Sequence, residues 1–248
     1  MRDPVTAPEA AYPLAELPLT RPLSALAIDT SSDVLSLALL RGGALAGAQY
    51  DAIGRRTTQE ILPRIGRLLA DAALTPGALD VLVVARGPGS FTGTRIGMAV
   101  ALTFAQVTGR PLVGVEALRL LAAQTEPAPG APGAPVSVRL NCARDEVYPA
   151  RFRGEGPALA RVTGIALRRL ESLLPELAGE AVVLRRFNPG AGTTPAVEAA
   201  FAALPRRPLR HPRPDAVRLL AVGLGRYLAE PGGDWRRVEP VYLKSEAF

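Results

Sequence analysis

Residues 23–28 form an apolar run that stops at Asp29, the pattern of a strand buried on both faces. Residues 34–41 (VLSLALLR) repeat it, and Gly42-Gly43 supplies the positive φ angles of a tight hairpin before 44–50 returns as a third strand. The period then changes from two to that of a helix. Ile61, Ile65, Leu68, Leu69 and Ala72 recur on one face, and Thr57 and Glu60 have the spacing of a capping box. Pro63 falls inside this helix, where it removes a backbone bond and is expected to bend the first turns. Residues 79–85 (LDVLVVA) are apolar almost throughout and predict a central strand. After the glycine-rich turn RGPGSFTGTRIG (86–97), a long helix is predicted over about 92–107, ending near Gly109, then a strand over 112–115 and a helix over 116–124.

Three meander strands followed by helix, strand, helix, strand, helix is the element order of a ribonuclease-H-like lobe. Residues 125–135 (TEPAPGAPGAP) are rich in Pro, Gly and Ala and read as a linker or long surface loop. Beyond them, 136–141 and 146–152 predict strands, and 165–174, 196–204 and 215–228 predict helices. The proline-rich residues 1–22 have no periodicity and are expected to form a flexible extension. The expected division is therefore extension 1–22, first lobe 23–124, linker 125–135 and second lobe 136–248.

Composition removes whole classes of chemistry. His211 is the single histidine and Cys142 the single cysteine, so a histidine-based metal site lacks its ligands and no intrachain disulfide can form. No catalytic residue and no metal ligand is assigned. No apolar run approaches the ~20 residues that span a bilayer, and no signal peptide is read at the N-terminus; a cytoplasmic location is expected. The net charge of +6 rests almost wholly on arginine. Arg185, Arg186, Arg206, Arg207, Arg210, Arg213, Arg218, Arg236 and Arg237 recur without interleaved aromatics, which reads as a solvated basic surface. RNA binding by the isolated chain is therefore expected to be weak and salt-dependent.

Two motifs carry candidate function. Asp29, Thr30 and Ser31 end the first strand, where hydroxyls and backbone N–H groups either cap their own turn or cradle phosphate. The second, residues 86–97, joins a buried strand to a helix start and lacks the Lys-Ser/Thr pair of a Walker loop. Along the helix that follows, Gly93, Gly97, Ala101 and Ala105 lie four apart and allow close backbone approach by a neighbour; Ile96, Val100 and Phe104 form a second apolar stripe. A helix apolar on most sides must be covered on most sides. The expected partner interface is Ile61, Ile65, Leu68 and Leu69 from the first helix, with Gly93, Ile96, Gly97, Val100, Ala101, Phe104 and Ala105 from the second.

The segments LAIDT (26–30), TQEILP (58–63), RGPGSFTGTRIG (86–97) and EPVYL (239–243), in this order, resemble the TsaB family, also called YeaZ. DEVY (145–148) adds a thinner match, while Thr57 replaces a histidine of some relatives and Asn141-Cys142-Ala143 an Asp-Ala-Arg. The resemblance implies an α/β, actin-like ATPase fold of two ribonuclease-H-like lobes. It implies a non-catalytic subunit that pairs with the catalytic homologue TsaD and works with the ATPase TsaE, placing threonylcarbamoyl on adenosine 37 of tRNA. Contact with tRNA would then be indirect, through the complex, and a homodimer could form when the partner is absent. No cofactor is required of such a subunit; weak ATP or ADP binding at Asp29, Thr30 and Ser31 stays open. Two other classes stay open as well. One is an active small-molecule kinase or ATPase of the same fold, whose adenosine loop would be NPGAG (188–192). The other is a glycoprotease-like peptidase, which the missing metal ligands disfavour.

Overall fold

The computed structural model describes residues 17–123, 125, 136–143, 146–154, 159–177, 182–186 and 215–241, with single positions at Leu14, Pro195, Ala199 and Ala203. The chain divides into two compact units: Met1–Ala117 with Arg213–Val241, and Leu118–Pro212 with Tyr242–Phe248.

In the first unit, β1 (Ala25–Asp29), β2 (Leu35–Arg41) and β3 (Ala44–Asp51) form the expected antiparallel meander, turned at Gly42 and Gly43 with φ of 59° and 91°. β4 (Val81–Ala85) and β5 (Leu112–Val115) add in parallel on the other side of β1, giving the order β3-β2-β1-β4-β5. Two helices, α1 (Thr57–Asp71) and α2 (Phe91–Thr108), connect them. Leu26, Ile28, Leu37, Leu82 and Val84 meet Ile61, Ile65, Met98 and Ala101 in one buried cluster. The alternation of β side chains sends Val83 to the opposite face, where it lies against Gly223 of a further helix, α5 (Ala216–Ala229). That helix lies along β1, β2, β4 and β5, so it belongs to this unit, whereas sequence order assigns it to the second lobe.

Packing also begins upstream of Leu23. Leu17 is buried and Arg21 pairs with Asp80 at 2.9 Å, within a stretch expected to be flexible. The expected capping box does not form. A 3₁₀ turn, Gly54–Arg56, runs straight into α1, Thr57 Oγ1 donates to the Gly54 carbonyl (2.7 Å), and Glu60 pairs with Arg64 (3.0 Å) instead of reaching back.

The second unit begins in α3 (Ala117–Ala123). Its sheet comprises β6 (Val136–Ala143), β7 (Glu146–Arg153), β8 (Ala160–Arg161), β9 (Arg168–Arg169) and β10 (Val182–Arg186). β10 pairs β6 in parallel, and β6, β8 and β9 pair β7 antiparallel. Leu118, Leu121 and Ala122 pack on Tyr148, Ala150 and Phe152. The helix expected over 165–174 is reduced to α4 (Leu170–Leu173) and a 3₁₀ turn, Leu174–Leu177. Ile165 and Leu167 pack on the Phe152 cluster from a segment that is neither helix nor strand. Of the helix expected over 196–204 only Ala199 and Ala203 are described, both helical, and the loop 188–192, His211 and 126–135 lie outside the described residues.

Candidate functional site

The long motif at 86–97 is tied to the end of β1. Ser90 caps α2: its Oγ accepts from the Gly93 N–H at 3.1 Å, and its own N–H donates to the Ser31 carbonyl at 2.8 Å. Thr30 Oγ1 donates to the Gly93 carbonyl at 2.7 Å. The N–H and Oγ of Ser31 both donate to Asp29 Oδ1, at 2.8 and 2.7 Å. Asp29, Thr30 and Ser31 are all buried. Asp29 Oδ1, Thr30 Oγ1 and the N–H, Oγ and carbonyl of Ser31 are thus engaged within the chain, in the self-capping arrangement of a turn.

The row of small residues has the same purpose. A Cβ on Gly93 would run into the Thr30 carbonyl, and one on Gly97 into Thr30 Oγ1. Gly93, Gly97, Ala101 and Ala105 are buried within the chain. The expectation that this row meets a partner is therefore corrected: Gly93 and Gly97 make their close approach to the end of β1, and Ala101 and Ala105 lie in the core cluster. Ile61, Ile65, Leu68 and Leu69 are likewise inside the core, because α1 turns its apolar face to its own sheet. Of the expected interface, Ile96, Val100 and Phe104 remain half-buried, along one side of α2.

Further apolar side chains of α1 and α2 are exposed. Leu62 is 53% exposed, Phe91 57% and Val107 80%. Val107 continues the 96/100/104 stripe at helical spacing, a signal that the sequence carries. Arg95 stacks on the Phe91 ring at 3.8 Å.

Arg86 opens the motif and joins it to the chain's last described segment. Its Nη2 donates to Glu116 Oε1 (2.9 Å), its Nη1 to the Glu239 carbonyl (3.3 Å), and its carbonyl accepts from the Val241 N–H (2.7 Å). Gly87, at φ 84°, accepts from the Ala117 N–H (2.8 Å). The segments 86–97 and 239–241, distant in sequence, are one structural feature.

Electrostatics add little chemistry. In the second unit the hydrogen bond from half-buried Arg168 to Glu176 raises the arginine's pKa, so it stays charged throughout the working range. Among the described residues, no group of three or more His, Cys, Asp or Glu side chains is placed to hold a metal ion. No helix among them is long and apolar enough to cross a membrane.

This fold and site have relatives among known proteins. A protein-family model described as TsaD, tRNA N6-adenosine threonylcarbamoyltransferase, matches residues 51–202. The TsaB protein of Bacillus subtilis, named for tRNA threonylcarbamoyladenosine biosynthesis, is 32% identical over 140 residues, 56% of this chain and 59% of that protein. An uncharacterized protein of Mycobacterium tuberculosis H37Rv is 33% identical over 203 residues, 77% of this chain and 92% of its own length. The solved structure of YeaZ from Pseudomonas aeruginosa superposes with a TM-score of 0.70 at 27% identity, covering 89% of this chain and all of that one. The fold is the α/β, actin-like fold of that group. The chain belongs to the TsaB (YeaZ) family.

Proposed function

We propose that this chain takes part in forming threonylcarbamoyladenosine in tRNA, as a subunit that pairs with TsaD, works alongside TsaE, and does not itself carry the transfer chemistry. The observation that carries the reading is its family: several TsaB relatives are named for this biosynthesis, and the family model that covers residues 51–202 is that of TsaD. The single histidine and the internally satisfied Asp29-Thr30-Ser31 turn support a non-catalytic role. The docking face is the half-buried apolar stripe of α2, Ile96, Val100 and Phe104, continued by exposed Val107. In the partner's absence two copies of this chain cover the same stripe. ATP or ADP binds the lone chain weakly, and tRNA meets the complex chiefly through the partner.

The test is reconstitution. Modification of an unmodified tRNA transcript is measured with cognate TsaD and TsaE, with and without this chain, alongside ATP hydrolysis by the chain alone. Copurification with TsaD and modification that requires the chain are expected. Turnover by the lone chain, abolished by Asp29→Ala, would replace this reading with that of an active enzyme.

A further inference from the structure

The arginines that look scattered in the sequence are in part gathered by the fold. The 3₁₀ turn Trp235–Arg237 places two adjacent guanidinium groups on the surface of the first unit, with side chains 71% and 89% exposed at Arg236 and Arg237. Beside the turn lies an open hollow of about 240 Å³. Arg86, Arg226 and Arg237 line it, with Glu230 and Asp234 as its acids. Gly114 and Gly233 shape it: a Cβ on Gly114 would meet Arg86 Cδ at 2.9 Å, and one on Gly233 the Leu112 carbonyl at 2.8 Å.

The arginines differ in how firmly they are held. Arg86 is held by Glu116 at 2.9 Å. Asp234 caps the turn through the Arg236 N–H (3.0 Å) and is shared by Arg236 at 3.5 Å and Arg237 at 3.7 Å, long contacts at exposed side chains. Arg226 donates to the Gly114 carbonyl at 2.9 Å, in the last turn of α5, where the helix dipole favours a cation. Within the hollow Arg226 and Arg237 face Asp234 and Glu230, while Arg236 stands outside its lining as a further exposed cation, with exposed Glu239 two residues beyond Arg237. The turn is also fixed in place. Half-buried Trp235 packs on the core cluster, and Arg236 stacks over its ring at 4.5 Å. An aromatic side chain therefore does stand beside arginines here, contrary to the reading of the sequence.

We propose that the Trp235–Arg237 turn, with Arg226 across the hollow, is a contact surface for RNA phosphodiesters. The inference rests on the proposed role in tRNA modification and adds a direct contact to it. Guanidinium groups suit phosphate because their planar donors match its oxygens, and an anchored turn orders them at low entropic cost.

The experiment uses the full chain and a fluorescein-labelled unmodified tRNA transcript, with anisotropy read between 50 and 200 mM salt. Arg236→Gln/Arg237→Gln is compared with wild type and with Arg41→Gln/Arg153→Gln, which removes the same charge from exposed positions elsewhere. Loss of two phosphate contacts should lower the log–log salt slope by about 1.4–1.8 and weaken binding about tenfold at 50 mM. The control pair should change both far less. Equal slopes for wild type and the 236/237 variant, an equal loss in the control, or no wild-type binding at 50 mM would each overturn the proposal. Displacement of the RNA by low-millimolar inorganic phosphate would overturn it in favour of a small-anion site. Copurification of the 236/237 variant with TsaD, measured in parallel, should be unchanged. Failure of wild type to copurify would sink the proposed function and leave the RNA result standing.

Discussion

Gly93 and Gly97 show how one atom decides where a helix lies. With no Cβ at either position, α2 rests against the end of β1, and Thr30 closes the contact with a 2.7 Å hydrogen bond to the Gly93 carbonyl. Gly93→Ala would drive a methyl group into the backbone of Thr30, which cannot rotate away as a side chain could. Overpacking of this kind costs about 1–3 kcal/mol, or roughly 2–12 °C in Tm for a chain of this length. Gly66, on the exposed side of α1, has open space where a methyl group would sit, with no atom within 4 Å, so its conformational freedom is the only quantity changed. Gly66→Ala should raise stability by about 0.5–1 kcal/mol through helix propensity. Thermal unfolding of both variants checks the pair. A Gly93→Ala protein that melts with wild type would mean that α2 and β1 do not need their close approach. The row of small residues is plain in the sequence; which neighbour it admits depends on Thr30, a residue 63 positions away.

At the scale of elements, α2 divides into three faces. Gly93 and Gly97 rest on the end of β1, Ala101 and Ala105 lie in the core cluster, and Thr92, Arg95, Thr103 and Gln106 face water. Ile96, Val100 and Phe104 lie between, and exposed Val107 extends their stripe. This stripe is where a docking partner can bury apolar area without disturbing the core. Phe104→Ala should weaken binding of TsaD by about 2 kcal/mol or more, roughly thirtyfold, if its ring is a central anchor. Val100→Arg should do so more strongly by placing an unpaired charge in the contact. Light scattering and pull-down read the binding, and circular dichroism confirms the fold. Both variants binding TsaD as wild type does would move the interface off α2. Periodicity is enough to locate α1, α2 and the five strands of the first unit, because each carries a regular apolar pattern and a sharp turn signal. It fails where patterns overlap. Ile165 and Leu167 fit the start of a helix or a strand equally well, and in the fold they pack on the Phe152 cluster outside both. The Thr57/Glu60 spacing suits a cap, but Gly54, at φ 52°, begins a 3₁₀ turn that makes the cap unnecessary.

For the whole molecule, the decisive fact is that the first unit is discontinuous in sequence. Local patterns cannot reveal this, since 216–229 reads as a largely apolar helix wherever it docks. Its destination is set by the far face of the first sheet. Gly223 lets α5 approach Val83, the Ala216 N–H donates to Ser36 Oγ at 3.0 Å, and Asp215 caps the helix start through the Val217 N–H at 2.9 Å. Leu219, Leu220 and Leu224 are fully buried. At about 1.5–3 kcal/mol each, these three leucines contribute roughly 5–9 kcal/mol, comparable to the ~5–15 kcal/mol by which a whole domain is stable. A fragment ending at the Pro/Gly-rich segment, residues 1–124, should therefore lack a cooperative thermal transition and aggregate, although it contains all five strands of its sheet. Joining residues 213–241 to that fragment through a flexible linker should restore the transition. Calorimetry and size-exclusion chromatography distinguish the outcomes. If residues 1–124 alone melt cooperatively as a monomer, α5 is dispensable to the first sheet, and the burial of its leucines stabilises something other than this unit.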